Sequence, residues 1–169
     1  MEKTRRITAI LFIIYILYLI WAVLFKFSFS YSEIPFKRRY INLRLFSNVS
    51  TYFASRIITE KILNIIIFLP FGTYLFFLGV RKIVPMLLIV IVSSLAFETI
   101  QYVFALGTSD IADVATNLCG GCFGYFSANM SVRIAKNEEK ALKHFIILAT
   151  VMSVFIPVLT VALKLGGRL

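Results

Sequence analysis

Charged side chains are scarce in this sequence. They make up 15% of its 169 residues, against 60% hydrophobic residues and a mean hydropathy of +0.89. A soluble domain carries roughly 25% charged residues, so the composition excludes an ordinary soluble globular protein. There are only two cysteines, Cys119 and Cys122, and one histidine, His144. No disulfide framework is implied, and neither a complete Cys/His metal site nor a serine–histidine pair is indicated.

Long apolar runs take the place of the missing charges. Each run is close to the length of about 20 residues that a helix needs to cross a bilayer. Unbroken runs predict helices, because the strands of a barrel would alternate with a period of two. We therefore predict an all-α, polytopic membrane helical bundle with five transmembrane helices, forming a single domain over residues 1–169. The predicted spans cover residues 7–25, 62–80, 83–106, 111–129 and 145–163.

Basic residues outnumber acidic ones by 18 to 8, which gives a net charge of +10. They lie mainly in the loops that flank the spans, so attraction to anionic lipid headgroups explains them better than binding to nucleic acid. The positive-inside count is tied for the two orientations. Because the flank of the first helix usually dominates, Lys3, Arg5 and Arg6 favour a cytoplasmic N-terminus and a C-terminus outside the cell.

The one long connection, residues 26–61, combines basic and aromatic side chains. This composition is typical of a segment at the level of the lipid headgroups. The segment either holds the spans together at the interface or forms an anion-receiving rim above polar groups in the membrane. Arg44, Arg56 and Lys61 are its candidates for a counter-charge to buried acids.

Polar side chains interrupt the second, third and fourth spans. Such groups are costly in hydrocarbon, so they normally face a protein interior or a water-filled cavity. At about 1.5 Å per residue, those on either side of the turn between spans three and four overlap in depth. Glu98, Asp110 and Asp113 are the only acids in or bordering spans, and the predicted spans two to four hold no basic residue. The candidate binding cluster is Asn64, Glu98, Gln101, Asp110, Asp113 and Asn117.

Small residues and a proline accompany this cluster. Gly120, Gly121 and Gly124 remove side-chain bulk from span four and favour close approach of another helix. Pro70 and Gly72 are predicted to loosen span two, because Pro70 cannot donate a backbone hydrogen bond to the preceding turn. An interrupted backbone beside carboxylates is one way to line an intramembrane cavity.

These spacings resemble those of the VanZ-like family of bacterial membrane proteins. The resemblance is strongest over spans two to four and departs from the family pattern at Leu45, where relatives commonly have proline, and at Gly107, where many have arginine. The residues that carry it are Asn64-x-x-x-Phe68-x-Pro70-x-Gly72, Glu98-x-x-Gln101 and Asp110-x-x-Asp113-x-x-x-Asn117-x-x-Gly120.

The chain resembles in particular the member found in glycopeptide-resistance gene clusters, and this resemblance implies a contribution to teicoplanin resistance, which we expect to be non-enzymatic. The expected partners are the lipid bilayer and either a lipid-linked cell-wall precursor or the lipoglycopeptide itself, with no cofactor or metal. Two alternatives remain open. One is a Mg²⁺-dependent membrane enzyme acting on a polyprenyl or lipid phosphate, since the acids are hard oxygen donors. The other is a proton- or cation-coupled transporter.

Overall fold

The computed structural model describes residues 2–24, 41–42, 51–106 and 109–165. Within these ranges the chain forms helices α1 (Glu2–Leu24), α2 (Thr51–Phe77), α3 (Ile83–Val103), α4 (Ile111–Ala135) and α5 (Glu138–Leu165). Two short strands, β1 (Ile41–Asn42) and β2 (Ser109–Asp110), pair in parallel, with Ile41 beside Ser109 and Asn42 beside Asp110. The prediction of an all-α architecture is confirmed, and the strand pair adds a small bridge at one end of the helices.

Three of the described helices are long and apolar enough to cross a membrane. They cover Lys3–Leu24, Ile58–Phe77 and Ile83–Val103. The second begins earlier than the predicted span at residue 62, since α2 already starts at Thr51. Lys61 therefore lies inside a candidate span, and its assignment to the loop was wrong. The candidate span thus includes one basic residue, whereas the predicted span from residue 62 has none. Two aspartates contact the Lys61 ammonium and reduce the cost of placing it there.

Helices α2 and α4 make the most extensive contact between elements, and glycines bring their backbones together. A Cβ atom added at Gly124 would lie 1.8 Å from the carbonyl oxygen of Leu69, and one at Gly120 would lie 2.3 Å from that of Ile65. A Cβ on Gly72 would lie 1.8 Å from the carbonyl oxygen of Gly121. No side chain larger than hydrogen fits at these positions, so the small residues set the distance between the helices.

Gly121 also gives room to α3, because a Cβ at this position would lie 2.9 Å from Val90 Cγ2. Pro70 does not interrupt α2, which continues through it to Phe77. The broken backbone predicted there is therefore not observed. Three residues on, the Thr73 hydroxyl lies within hydrogen-bond distance of the carbonyl oxygens of Leu69 and Gly124. The contact with Gly124 adds a polar link between α2 and α4.

Aromatic side chains hold α1 and α5 against α2. The hydroxyl of Tyr15 donates to the carbonyl oxygen of Ile67 at 2.6 Å. The ring of Tyr74 packs against Tyr15 and edge-on against Phe145 of α5, with centroid distances of 5.3 Å and 4.8 Å. These contacts fix α2 at the centre of the fold, with α1 and α5 on one side and α4 on another.

Candidate functional site

The charged groups meet where α4 begins, beside a position on α2 that lies ten residues, or about 15 Å, after its first residue. Lys61 Nζ lies 2.8 Å from Asp110 Oδ2 and 2.5 Å from Asp113 Oδ1. Asn64, one turn along α2, donates from Nδ2 to the same Asp113 oxygen at 2.8 Å. Positions three apart on a helix share a face, so α2 presents an ammonium and an amide together to the acids of α4.

Glu98 joins this group from the end of α3. Its Oε2 accepts a hydrogen bond from the backbone N–H of Asp110 at 2.8 Å. Asp110 is the N-cap of α4, and its Oδ1 accepts from the backbone N–H of Ala112 at 2.9 Å. Asp113 lies in the first turn of α4, where the helix dipole favours a negative charge. The Lys61 cluster, as we name it, comprises Lys61, Asn64, Glu98, Asp110 and Asp113.

The Lys61 cluster is partly open. The side chains of Lys61, Asp110 and Asp113 retain 22%, 17% and 24% of their exposure, whereas Glu98 is buried. The Lys61 ammonium donates a hydrogen bond to each of the two carboxylates. These hydrogen bonds are charge-assisted and therefore stronger than bonds between neutral groups. The arrangement can therefore hold charges within the helices and still be reached from the end of the bundle.

Asn117 and Gln101 form separate contacts. Asn117 Nδ2 donates to Ser94 Oγ on α3 at 2.8 Å, and Gln101 Nε2 donates to the carbonyl oxygen of Val23 on α1 at 3.0 Å. Both side chains are buried, and neither Gln101 Oε1 nor Asn117 Oδ1 accepts a hydrogen bond from the described part of the chain. The six predicted polar residues thus divide between the Lys61 cluster and two links that tie α3 to α4 and α1.

Of the three counter-charge candidates, Lys61 contacts the acids. Arg44 lies outside the described residues, and so does the side chain of Arg56. Ser94 is a polar partner that sequence reasoning missed. It lies four residues before Glu98, a spacing that places both on one face of α3 and that could have revealed it.

No group of three or more histidine, cysteine, aspartate or glutamate side chains in the described ranges is arranged to hold a metal ion. Glu98 is connected to Asp110 by a hydrogen bond from the backbone N–H of Asp110. The ammonium of Lys61 lies between the aspartates. The described geometry is thus that of an ion-paired, hydrogen-bonded network.

Comparison with known proteins places this network in a family. The family model described as VanZ/LLP1 matches residues 12–133, which include the whole Lys61 cluster. Protein VanZ of Enterococcus faecium is 40% identical over 114 residues, which is 66% of this chain and 66% of that protein. The match thus spans just under two-thirds of the relative's length. No solved structure matches the chain. With a family model that covers most of its residues and this relative, the chain belongs to the VanZ/LLP1 family.

Proposed function

We propose that this chain is a five-span protein of the bacterial cell membrane that lowers sensitivity to teicoplanin-type glycopeptides. Family membership and three helices apolar enough to cross a bilayer support a membrane protein. The similarity to Protein VanZ and the motif spacing support the resistance role. In this proposal α4 and α5 supply the remaining two spans, the N-terminus is cytoplasmic and the C-terminus lies outside.

The observation that carries the proposed site is the placement of Lys61 between Asp110 and Asp113 at the partly exposed start of α4. Polar residues that only hold membrane helices together do not need charge, since amides and hydroxyls suffice. Ionisable groups within spans mark functional sites more often than packing contacts. We infer that the Lys61 cluster is an outward-facing binding site.

Its proposed ligand is the polar head of a lipid-linked cell-envelope component, or of the lipoglycopeptide. A phosphate or carboxylate of the ligand would replace one aspartate as the partner of Lys61. A ligand ammonium would bind the aspartate that is released, so the charges stay paired throughout. Binding of this kind makes and breaks no covalent bond, and the protein would act by holding its ligand rather than by turning it over.

Isosteric changes in the Lys61 cluster test this proposal. Asp113→Asn and Lys61→Met should each abolish protection in a teicoplanin-sensitive host, while the protein remains in the membrane. Arg81→Met and Glu138→Gln, which alter an exposed ion pair at the other end of the bundle, should leave protection intact. The measurements are the inhibitory concentration of teicoplanin and the amount of protein in isolated membranes.

A charge exchange separates folding from binding. The double variant Lys61→Asp/Asp113→Lys keeps opposite charges at this contact but reverses their positions. We expect the double variant to be more abundant in the membrane than Lys61→Asp alone or Asp113→Lys alone. It should nevertheless give no protection. Recovery of protection by the exchanged pair, or loss of abundance in step with protection in every variant, would mean that the cluster serves only the fold.

A further inference from the structure

A second feature lies away from the Lys61 cluster, on the other side of α2. It is an open groove of about 1100 Å³ that is lined by α1, α2, α4 and α5. Its wall on α2 runs from Leu63 to Phe77, a length of about 21 Å at 1.5 Å per residue. One leaflet of hydrocarbon is about 15 Å deep, half of a core of about 30 Å. The groove is therefore long enough to take an extended acyl chain.

The walls of this groove are predominantly apolar and reach the outer surface of the bundle. Ile66, Ile134 and Leu148 line it and are 57%, 76% and 60% exposed. Ile66 lies in the candidate span of α2 and Leu148 in the fifth span of the proposed topology, on which this step rests, so both side chains face hydrocarbon rather than water. The material available to fill the groove is therefore a lipid tail.

The basic groups of the groove lie at one end. Lys140 and His144, one turn apart on α5, line it there together with Ser131 of α4. Residues four apart on a helix share a face, so an ammonium and an imidazole point to the same region. An ammonium and an imidazole N–H are donors that suit phosphate oxygens, whereas the Ser131 hydroxyl already donates to the carbonyl oxygen of Ala128 at 2.7 Å.

Neighbouring acids do not neutralise this end. Glu138 pairs with Arg81, and Glu139 Oε1 lies 2.9 Å from Lys143 Nζ. Among the described residues, the side chains of Lys140 and His144 take part in no ion pair. Positive charge therefore remains where the apolar groove ends, and it complements a lipid with a negatively charged headgroup rather than a zwitterionic one.

We propose that this groove binds an anionic glycerophospholipid, with one acyl chain along α2 and its phosphate against Lys140 and His144. The proposal does not depend on the role of the Lys61 cluster, because the two features share no residue.

The test uses the full chain purified in a neutral detergent. Thermal unfolding, followed by the loss of helical circular dichroism, is measured while lipid is added. A ligand that binds the folded state raises the unfolding temperature with its concentration. Phosphatidylglycerol should stabilise the protein at concentrations at least about fivefold lower than phosphatidylcholine with the same chains, a ratio on the scale of one basic residue at an anionic surface. Soluble glycerol 3-phosphate should have no effect in the same range.

Two matched pairs of variants locate the site. Lys140→Gln/His144→Gln should remove the preference for phosphatidylglycerol, whereas Lys143→Gln, which changes a residue outside the groove lining, should preserve it. Leu148→Trp should fill the groove and weaken the effect of both lipids. Ile147→Trp adds the same bulk at a neighbouring position that is 63% exposed and does not line the groove, so it should behave like the original chain.

Three results would overturn the proposal. Equal stabilisation by the two lipids would show that charge plays no part, and an equal loss from Lys143→Gln would mean diffuse attraction rather than a site. Stabilisation by glycerol 3-phosphate as strong as that by intact lipid would assign the binding to a free phosphate.

Discussion

The Lys61 cluster and the ion pair between Arg81 and Glu138 lie at opposite ends of the bundle and show two uses of charge. Lys61 contacts two aspartates, and these three side chains are 17–24% exposed. The cluster also draws on α3 through the buried Glu98. Arg81 and Glu138 are 38% and 45% exposed, and the guanidinium also lies 4.1 Å from the centroid of the Phe76 ring. Water can solvate the second pair, whereas the first depends on partners supplied by the protein.

The two regions also differ in what holds their partners in place. The Lys61 cluster needs α2 and α4 at a fixed distance, and that distance is set by backbone contact at Gly72, Gly120 and Gly124. Arg81 follows the end of α2, and Glu138 begins α5, so their contact does not cross the glycine interface. A change at this interface should therefore affect the two regions unequally.

The largest expected effect comes from Gly124→Val. The added Cβ would meet the carbonyl oxygen of Leu69, and neither backbone can yield without separating the helices. We expect a loss of more than about 3 kcal/mol in the free energy of unfolding, above the range of about 1–3 kcal/mol for ordinary overpacking. Reversible unfolding in mixed detergent micelles measures it.

The control for this change is Cys119→Val, which alters an exposed position on the same helix and should have little effect. Double-mutant cycles made in the Gly124→Val background should find the coupling of Lys61 to Asp113 lost and that of Arg81 to Glu138 retained. If Gly124→Val unfolds at the same midpoint denaturant concentration as the original chain, α2 and α4 do not touch at this position.

Sequence reasoning found most of the polar groups because spacing on a helix is a geometric constraint. Glu98, Asp113 and Asn64 are placed at one depth by the turn between α3 and α4 and by the position of α2. It misplaced Lys61, because a hydropathy pattern marks where apolar residues stop and not where a helix begins. Between the start of α2 at Thr51 and Lys61, apolar residues are mixed with charged ones such as Arg56 and Glu60, so they form no unbroken apolar run.

Other contacts left different traces in the sequence. The link from Gln101 to Val23 ends on a backbone carbonyl, and any residue type supplies such a group, so no pattern could reveal the partner. Gly120 and Gly124 did carry a signal, since small residues at this spacing favour close helix packing. The carbonyl groups that they approach on α2 became known only from the fold.

A smaller effect is expected from neutralising the cation in each region. Lys61→Met leaves two carboxylates without their ammonium, and removing one partner of a fully buried pair costs about 3–5 kcal/mol. Because Lys61 is partly exposed, we expect Lys61→Met to lower the free energy of unfolding by about 1–3 kcal/mol. This range lies between the values for exposed pairs and for fully buried pairs. Arg81→Met should cost no more than about 1 kcal/mol, the upper range for exposed pairs.

Salt sharpens the contrast between these two variants. Raising the ionic strength from 0.01 M to 1 M should reduce the cost of Arg81→Met, since salt screens exposed pairs more than partly buried ones. The cost of Lys61→Met should change less. Adding Asp113→Asn to Lys61→Met should recover part of the lost stability. Equal costs and equal salt dependence in the two regions would remove the distinction between them.

The smallest expected effect concerns the pair of Glu139 and Lys143, which lies at the same end of the bundle as Arg81 and outside the predicted fifth span. The ammonium of Lys143, one turn along α5, lowers the pKa of the exposed Glu139 carboxyl by a hydrogen bond and by its charge. A carboxyl with a depressed folded-state pKa contributes stability above its unfolded value of about 4.3 and loses it as the pH falls through the folded one. Lys143→Met should therefore flatten the pH dependence of unfolding below about pH 4.3 by a small amount. The control Lys82→Met removes a positive charge at the same end of the bundle but does not change this pair, so it should leave the pH profile unchanged. Identical pH profiles for the two variants would mean that water screens the contact completely.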